Sequence, residues 1–337
     1  MVQRGRIGII GLGLIGGSIA ISLKHKYEIV GMSRNPETVK YALREDIISR
    51  AALTYADFAD CNAVIVCTPL SLVRDTVVGL QSVLGDSVII SDVGSVKGML
   101  AGLDGRIIGG HPMAGTEQSG IRAAKERLLE NAYYILVDYN DNPDDLAFMR
   151  DLAVACGASP VVMSADEHDK LVAKISHLVH MAAYGLVNSA MTGDEEIVGS
   201  GFMDTTRIAS SDPSFWNTVA HLNRDNLLAE TDKYIDTLTG LRGMIARGED
   251  LTPFLAAAKE KRDRLAYKKR FMSEYVVYAD VPDCVGSIVK VLSLLAAENI
   301  SISNLTVMHS REGAGGALRI ELKDERGYKK AKEILGI

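Results

Sequence analysis

Short, nearly continuous apolar runs alternate with longer helical stretches along the first half of the chain. Residues 6–10, 28–32, 63–67, 87–92 and 106–108 read as strands, with amphipathic helices between them that include 14–26 and one from about residue 72. Strands apolar on both faces and separated by helices predict a parallel sheet buried on both sides. Two further strands are expected at 133–137 and 160–163, with a helix from about 144 to 156 between them. Ser164-Ala165-Asp166-Glu167 has the spacing of a capping box and predicts a long helix running to about residue 191. More helices follow at about 223–247 and 253–270, and Leu227, Leu228, Ile235, Leu238, Leu241 and Ile245 recur there at helical spacing. That stripe is expected to be core, with part of it serving a dimer interface. From residue 273 the texture changes to strand, helix, strand, strand, helix, a small βαββα unit. The expected organisation is a doubly wound α/β domain over 1–164, an all-helical domain over 165–271 and an α+β unit over 272–337.

Composition narrows the class. A length of 337 residues suits two or three domains, and 47% hydrophobic with 24% charged residues suits substantial cores. A net charge of −6 argues against nucleic acid or an anionic membrane as the main partner. The apolar runs are strand-sized, too short to cross a membrane, and residues 1–6 lead straight into the first strand without room for a secretion signal. A cytoplasmic protein is therefore expected. Cys61, Cys67, Cys156 and Cys284 have neither metal-ligand nor disulfide-framework spacing, which predicts reduced thiols and no metal.

The motifs fall at strand ends. Gly11-Leu12-Gly13-Leu14-Ile15-Gly16 lies between the first strand and the first helix, the context in which GxGxxG marks a Rossmann dinucleotide site. Gly11 allows the tight turn, Gly13 lets the backbone approach a pyrophosphate, and Gly16 lets helix and strand pack. After the second strand an NAD-binding unit would carry an acid; Ser33 and Arg34 stand there instead and suit a 2′-phosphate, so NADP is favoured over NAD. Thr68-Pro69, Ser95 and His111 also follow strands and should share the edge where such sheets bind ligands. His111, in the loop Gly109-Gly110-His111-Pro112-Met113-Ala114-Gly115, is a candidate base with an ordinary ionisation at about 6 to 7. Arg207, among small and hydroxylated residues, is either a carboxylate clamp or a structural partner of Asp204 or Asp212. His177 and His180 share a helix face; packing for one and a cleft position for the other is preferred to a metal site.

Taken in order, the fingerprint, Gly94-Ser95-Val96-Lys97, His111 to Glu117, Ile175 to His180 and Thr206-Arg207-Ile208-Ala209 resemble the prephenate/arogenate dehydrogenases of tyrosine biosynthesis over roughly residues 5–270. The resemblance implies oxidative decarboxylation of prephenate to 4-hydroxyphenylpyruvate with hydride transfer to NAD(P). It implies His111 as the base, Ser95 as its support, Arg207 on a substrate carboxylate, and His180, Thr116 and Glu117 around the substrate. Arogenate is the alternative substrate, and a non-catalytic nucleotide-binding amino-acid sensor is the reading from another class. The tail resembles an ACT domain lacking a fourth strand, which implies tyrosine as an effector; a homodimer is expected.

Overall fold

The computed structural model describes residues 5–115, 118–190, 197–264, 275–282, 284–309 and 315–337. The chain divides into two compact units, Met1–Leu238 and Thr239–Ile337. The first is built on an eight-stranded sheet of order β3-β2-β1-β4-β5-β6-β7-β8. Its strands are β1 (Arg6–Ile10), β2 (Glu28–Met32), β3 (Arg50–Ala51), β4 (Ala63–Val66), β5 (Ile89–Asp92), β6 (Ile107–Pro112), β7 (Tyr133–Asp138) and β8 (Ser159–Val162). Helices α1 (Leu14–Leu23), α2 (Pro36–Arg44), α3 (Val73–Leu84) and α4 (Pro143–Ala155) alternate with them.

Strand periodicity sorts the core. Ile7, Ile9, Ile65, Ile89 and Ile108 join one buried apolar cluster, while Ile10, Val64, Val66, Ile90 and Ile107 join another. Successive side chains point to opposite faces, so an apolar run can be buried on both only if helices cover both. Chain order reverses between β1 and β4, which leaves a crevice at their carboxyl ends. Gly11 sits there at φ +100°, a conformation that favours glycine, and a Cβ on it would strike the Cys67 carbonyl.

Two features depart from the sequence reading. The sheet is parallel except at β6–β7, which pair antiparallel with Gly110 opposite Leu136 and His111 opposite Ile135. Among the described residues no α-helix lies between these two strands to carry the chain back for a parallel pairing. Pairing with β7 also lengthens β6, so His111 is fixed as the penultimate residue of a strand rather than in a loop.

The carboxyl ends of β5 and β6 are joined by a buried ion pair. The Lys97 ammonium lies 2.5 Å from Asp92 Oδ2, and both side chains are fully buried. Lys97 also donates to the Gly110 carbonyl, and Asp92 accepts from the backbone N–H of Gly94 at 2.8 Å and of Gly110 at 3.2 Å. The Tyr139 hydroxyl donates to the Lys97 carbonyl at 2.8 Å. Turn 93–98 is thereby folded over β5 and sewn to β6.

The rest of the first unit is helical. The capping box forms as expected: Ser164 Oγ accepts from Glu167 N, and Glu167 accepts from Ser164 N. The helix it starts is not uniform, for α5 (Ala165–Val172) passes through a π-helical turn at Ala173–His177 into α6 (Leu178–Ala190). Such turns insert a residue and rephase the faces, which no periodic pattern reveals. Next come α7 (Ser200–Thr206), α8 (Pro213–Leu222) and the start of α9 (Arg224–Ala246). The stripe expected to be core on α9 is largely exposed: Leu227 is buried, but Leu228, Ile235, Leu238 and Ile245 are 45–60% accessible.

In the second unit, α10 (Thr252–Asp263) precedes a three-stranded antiparallel sheet of order β10-β11-β9. Strands β9 (Val276–Pro282), β10 (Ile302–His309) and β11 (Gly315–Leu322) and helices Ser287–Ala297 and Glu325–Leu335 follow the expected βαββα order. Val277, Ala279, Val281, Leu295, Leu318 and Ile320 form its core. No helix among the described residues is long and apolar enough to cross a membrane.

The Asp92–Lys97 pair yields a test. Lys97→Met leaves a buried carboxylate without its counter-charge and is expected to destabilise the chain by about 3–5 kcal/mol, read from urea denaturation. Asp92→Leu added to Lys97→Met should recover part of that loss.

Candidate functional site

A cavity of about 920 Å³ opens at the crevice, within the size range of ligand pockets. It is lined by Gly11, Gly13, Leu14, Ile15 and Gly16 from the β1–α1 turn, Ser33 and Arg34 after β2, Thr68 and Pro69 after β4, Ser95 after β5, and His111 on β6. Every cofactor residue expected from the sequence thus borders one cavity together with Ser95 and His111. Phe215 of α8 closes one side.

The lining suits a dinucleotide. A Cβ on Gly13 would project into open space, so the backbone there is accessible to a ligand. Helix α1 starts at Leu14 with no side chain capping it, which directs free N–H groups and the positive helix end at a phosphate. Thr68 Oγ1 and Ser95 Oγ are buried without a hydrogen-bond partner. Orphaned hydroxyls on a cavity wall are costly unless a ligand engages them.

His111 meets a second histidine that the sequence reading passed over. Its Nδ1 lies 2.8 Å from His168 Nε2, and His168 Nδ1 lies 2.7 Å from Asp169 Oδ1. His168 is fully buried and Asp169 nearly so. Asp169 also accepts from Lys97 N and Gly98 N, each at 2.7 Å. Burial pushes the Asp169 carboxyl up, but these donors outweigh it and hold it below the usual carboxylate range, hence ionised. His168 and Asp169 follow the capping box in the first turns of α5, where an adjacent His-Asp pair is the available sequence signal. Burial, with His168, Lys97 and His177 nearby, holds His111 well below the ordinary histidine range. The expected ionisation at 6 to 7 is therefore moved to lower pH.

The remaining residues fall elsewhere. His177 is buried, pushed down to about 4 by burial, with its Nδ1 3.2 Å from the Asn223 amide. His180 Nδ1 donates to the Ser176 carbonyl at 3.0 Å, and its ring stacks on Trp216 at 3.6 Å. Burial lowers the pKa of His180, and the nearby charge of Arg207 adds to the effect. Arg207 opens an exposed 3₁₀ turn, Arg207–Ser210, while Asp212, one of its suggested partners, caps α8 by accepting from Ser214 N at 2.9 Å. Neither His180 nor Arg207 lines the cavity; Phe215 at its edge packs on Trp216 at 5.5 Å and so connects it to His180. Thr116 and Glu117 lie outside the described residues.

Residues 19–162 match the family model described as prephenate dehydrogenase, nucleotide-binding domain, and residues 164–259 match prephenate dehydrogenase, dimerization domain. The chain is 33% identical to the prephenate dehydrogenase of Bacillus subtilis strain 168, over 96% of this chain and 94% of that one. The crystal structure of prephenate dehydrogenase from Aquifex aeolicus in complex with hydroxyphenyl propionate and NAD+ superposes with a TM-score of 0.72 at 30% identity, covering 78% of this chain and 99% of that one. Synechocystis arogenate dehydrogenase gives 0.70 at 31% identity, covering 77% and 99%.

The buried histidines couple stability to pH. In the unfolded chain His111 and His177 take up protons near pH 6.5, whereas in the folded chain they stay neutral to lower pH. Their contribution is present above about pH 6.5 and lost as the pH falls towards 4. The urea midpoint should therefore drop between pH 7.5 and 5, and His177→Gln should flatten part of that slope.

Proposed function

The chain belongs to the prephenate dehydrogenase family, and from that premise we propose how its residues carry out the oxidative decarboxylation of prephenate to 4-hydroxyphenylpyruvate. One observation carries the reading: His111 and the partnerless Ser95 hydroxyl share a cavity with the dinucleotide fingerprint. A bound nicotinamide dinucleotide supplies the hydride acceptor. His111, neutral in its buried setting, accepts the proton of the ring hydroxyl as hydride leaves the carbon that bears it. Loss of carbon dioxide returns an electron pair to the ring, and the proton held by His111 completes the phenol. Ser95 hydrogen-bonds the same hydroxyl and keeps it in line with His111. Arg207 pairs with a substrate carboxylate, and His180 borders the substrate beside Trp216.

Ser33 and Arg34, at the position where an acid would hold free ribose hydroxyls, support NADP as the preferred dinucleotide, with NAD the alternative. The apolar residues exposed on α9, within the matched dimerization region, support a homodimer with α9 at the interface. The βαββα order supports reading residues 272–337 as ACT-like, with tyrosine as effector. Arogenate is the second substrate reading, supported by the likeness to the Synechocystis enzyme.

Assays of the purified protein with prephenate or arogenate, each with NAD or NADP, test the activity directly. His111→Asn should lower kcat by about 10²–10⁴-fold, while Arg207→Ala should raise KM more than it lowers kcat. Because His111 titrates low, kcat/KM in the wild type should stay level down to about pH 6.5 and fall only in more acid solution. Near-normal turnover by His111→Asn would remove it as the base.

Ser33→Asp with Arg34→Ile should shift preference towards NAD, since the acid repels a 2′-phosphate and binds free hydroxyls. Steady-state kinetics with both dinucleotides read the shift, and a wild type strongly favouring NAD would exclude the NADP assignment.

A further inference from the structure

We propose that His168 and Asp169 are positioning residues that hold His111 in the Nδ1–H tautomer and so leave its Nε2 as the proton acceptor. The inference rests on His111 being the base, and it adds which nitrogen acts and what decides it. The argument starts from the acceptor end of the chain. Asp169 Oδ1 takes a hydrogen bond from Lys97 N and Oδ2 one from Gly98 N, both at 2.7 Å, so the carboxylate is fixed in place and ionised. A carboxylate only accepts, so His168 Nδ1, 2.7 Å away, must be the protonated nitrogen of that ring. In neutral His168 the other nitrogen, Nε2, is then an acceptor. The contact at 2.8 Å from His168 Nε2 to His111 Nδ1 is a hydrogen bond only if His111 Nδ1 carries the proton. The lone pair of neutral His111 is left on Nε2.

The ring geometry fits this hydrogen bond, whose direction is set by Asp169. The His111 and His168 rings meet edge-on, 5.1 Å between centroids and 67° between planes, which suits an in-plane donor on one and an in-plane lone pair on the other. Charged or titratable groups near this chain include Lys97, already bonded to Asp92 and Gly110, His177, whose Nδ1 faces Asn223, and Tyr139, whose hydroxyl donates to the Lys97 carbonyl. Asn223 also donates to the Asp169 carbonyl at 2.8 Å, which fixes the helix at the residue that anchors the chain. The same carboxylate ties helix α5 to the turn carrying Ser95, so one group sets both the tautomer of the base and the place of its hydroxyl partner. When His111 takes a proton on Nε2, its Nδ1–H bond to His168 becomes charge-assisted and strengthens, with Asp169 as the terminal negative charge.

Nitrogen-15 NMR of the histidine-labelled enzyme, with His111 assigned by its loss in His111→Asn, reads the tautomer without any turnover. The expected result in the wild type is a protonated Nδ1 and an unprotonated Nε2 on His111. His168→Leu removes the acceptor and should shift His111 towards Nε2–H. Its kcat should fall by about 10- to 10⁴-fold, the upper bound being the cost of a wrong tautomer in a Ser-His-Asp triad, with little change in KM for the dinucleotide. His168→Gln, whose amide oxygen can accept from Nδ1–H, should recover much of both the tautomer and kcat. A wild type carrying Nε2–H on His111, or a folded His168→Leu with unchanged tautomer and kcat, overturns the proposal. His111→Asn with near-normal turnover would instead overturn the base assignment, while the tautomer is still read by itself.

Discussion

A lysine and an aspartate taken wholly out of water are costly, and the cost is offset only when each remaining polar atom finds a partner. Lys97 and Asp92 meet that condition by spending their hydrogen bonds on backbone groups of Gly94 and Gly110. The pair therefore does more than neutralise itself. It fixes the turn after β5 against the end of β6, and those two segments carry Ser95 and His111. The backbone N–H groups of Lys97 and Gly98 are what Asp169 binds, so helix α5 is placed by the same turn. Without the pair, the sheet edge, the hydroxyl and the histidine chain would have no common reference.

Burial gives the site its electrostatic character. A histidine held neutral can accept a proton, and Lys97 close by reinforces neutrality without forming a bond to the ring. The price is a dependence of the folded state on pH that an exposed histidine would not impose. Antiparallel pairing with β7 is what draws His111 into this setting, since it extends β6 through Pro112 and fixes the backbone on both sides of the ring.

The helices of the first unit serve two ends. On α5 and the π-turn, His168, Asp169 and His177 are all buried. Further along, α9 carries the exposed aliphatic side chains Leu228, Ile235, Leu238 and Ile245. That apolar stripe lies within the region matched to the dimerization-domain model.

The sequence alone determined much of the nucleotide half. Glycine spacing, apolar strands and loops at carboxyl ends are local or periodic signals, and Gly11, Gly16, Ser33, Thr68, Ser95 and His111 were placed by them on the edge where the cavity lies. The βαββα order of the tail was legible for the same reason. Tertiary structure decided what depends on contacts between distant segments. His168 lies 57 positions from His111 and Asp169 lies 72 from Lys97, so no period or spacing could join them. The antiparallel strand β7, the π-turn at Ala173–His177 and the exposure of α9 were likewise settled by packing. Apolar periodicity says that a face must be buried, but not against which partner, and a polar residue's role is fixed only by the groups that folding brings within hydrogen-bond reach.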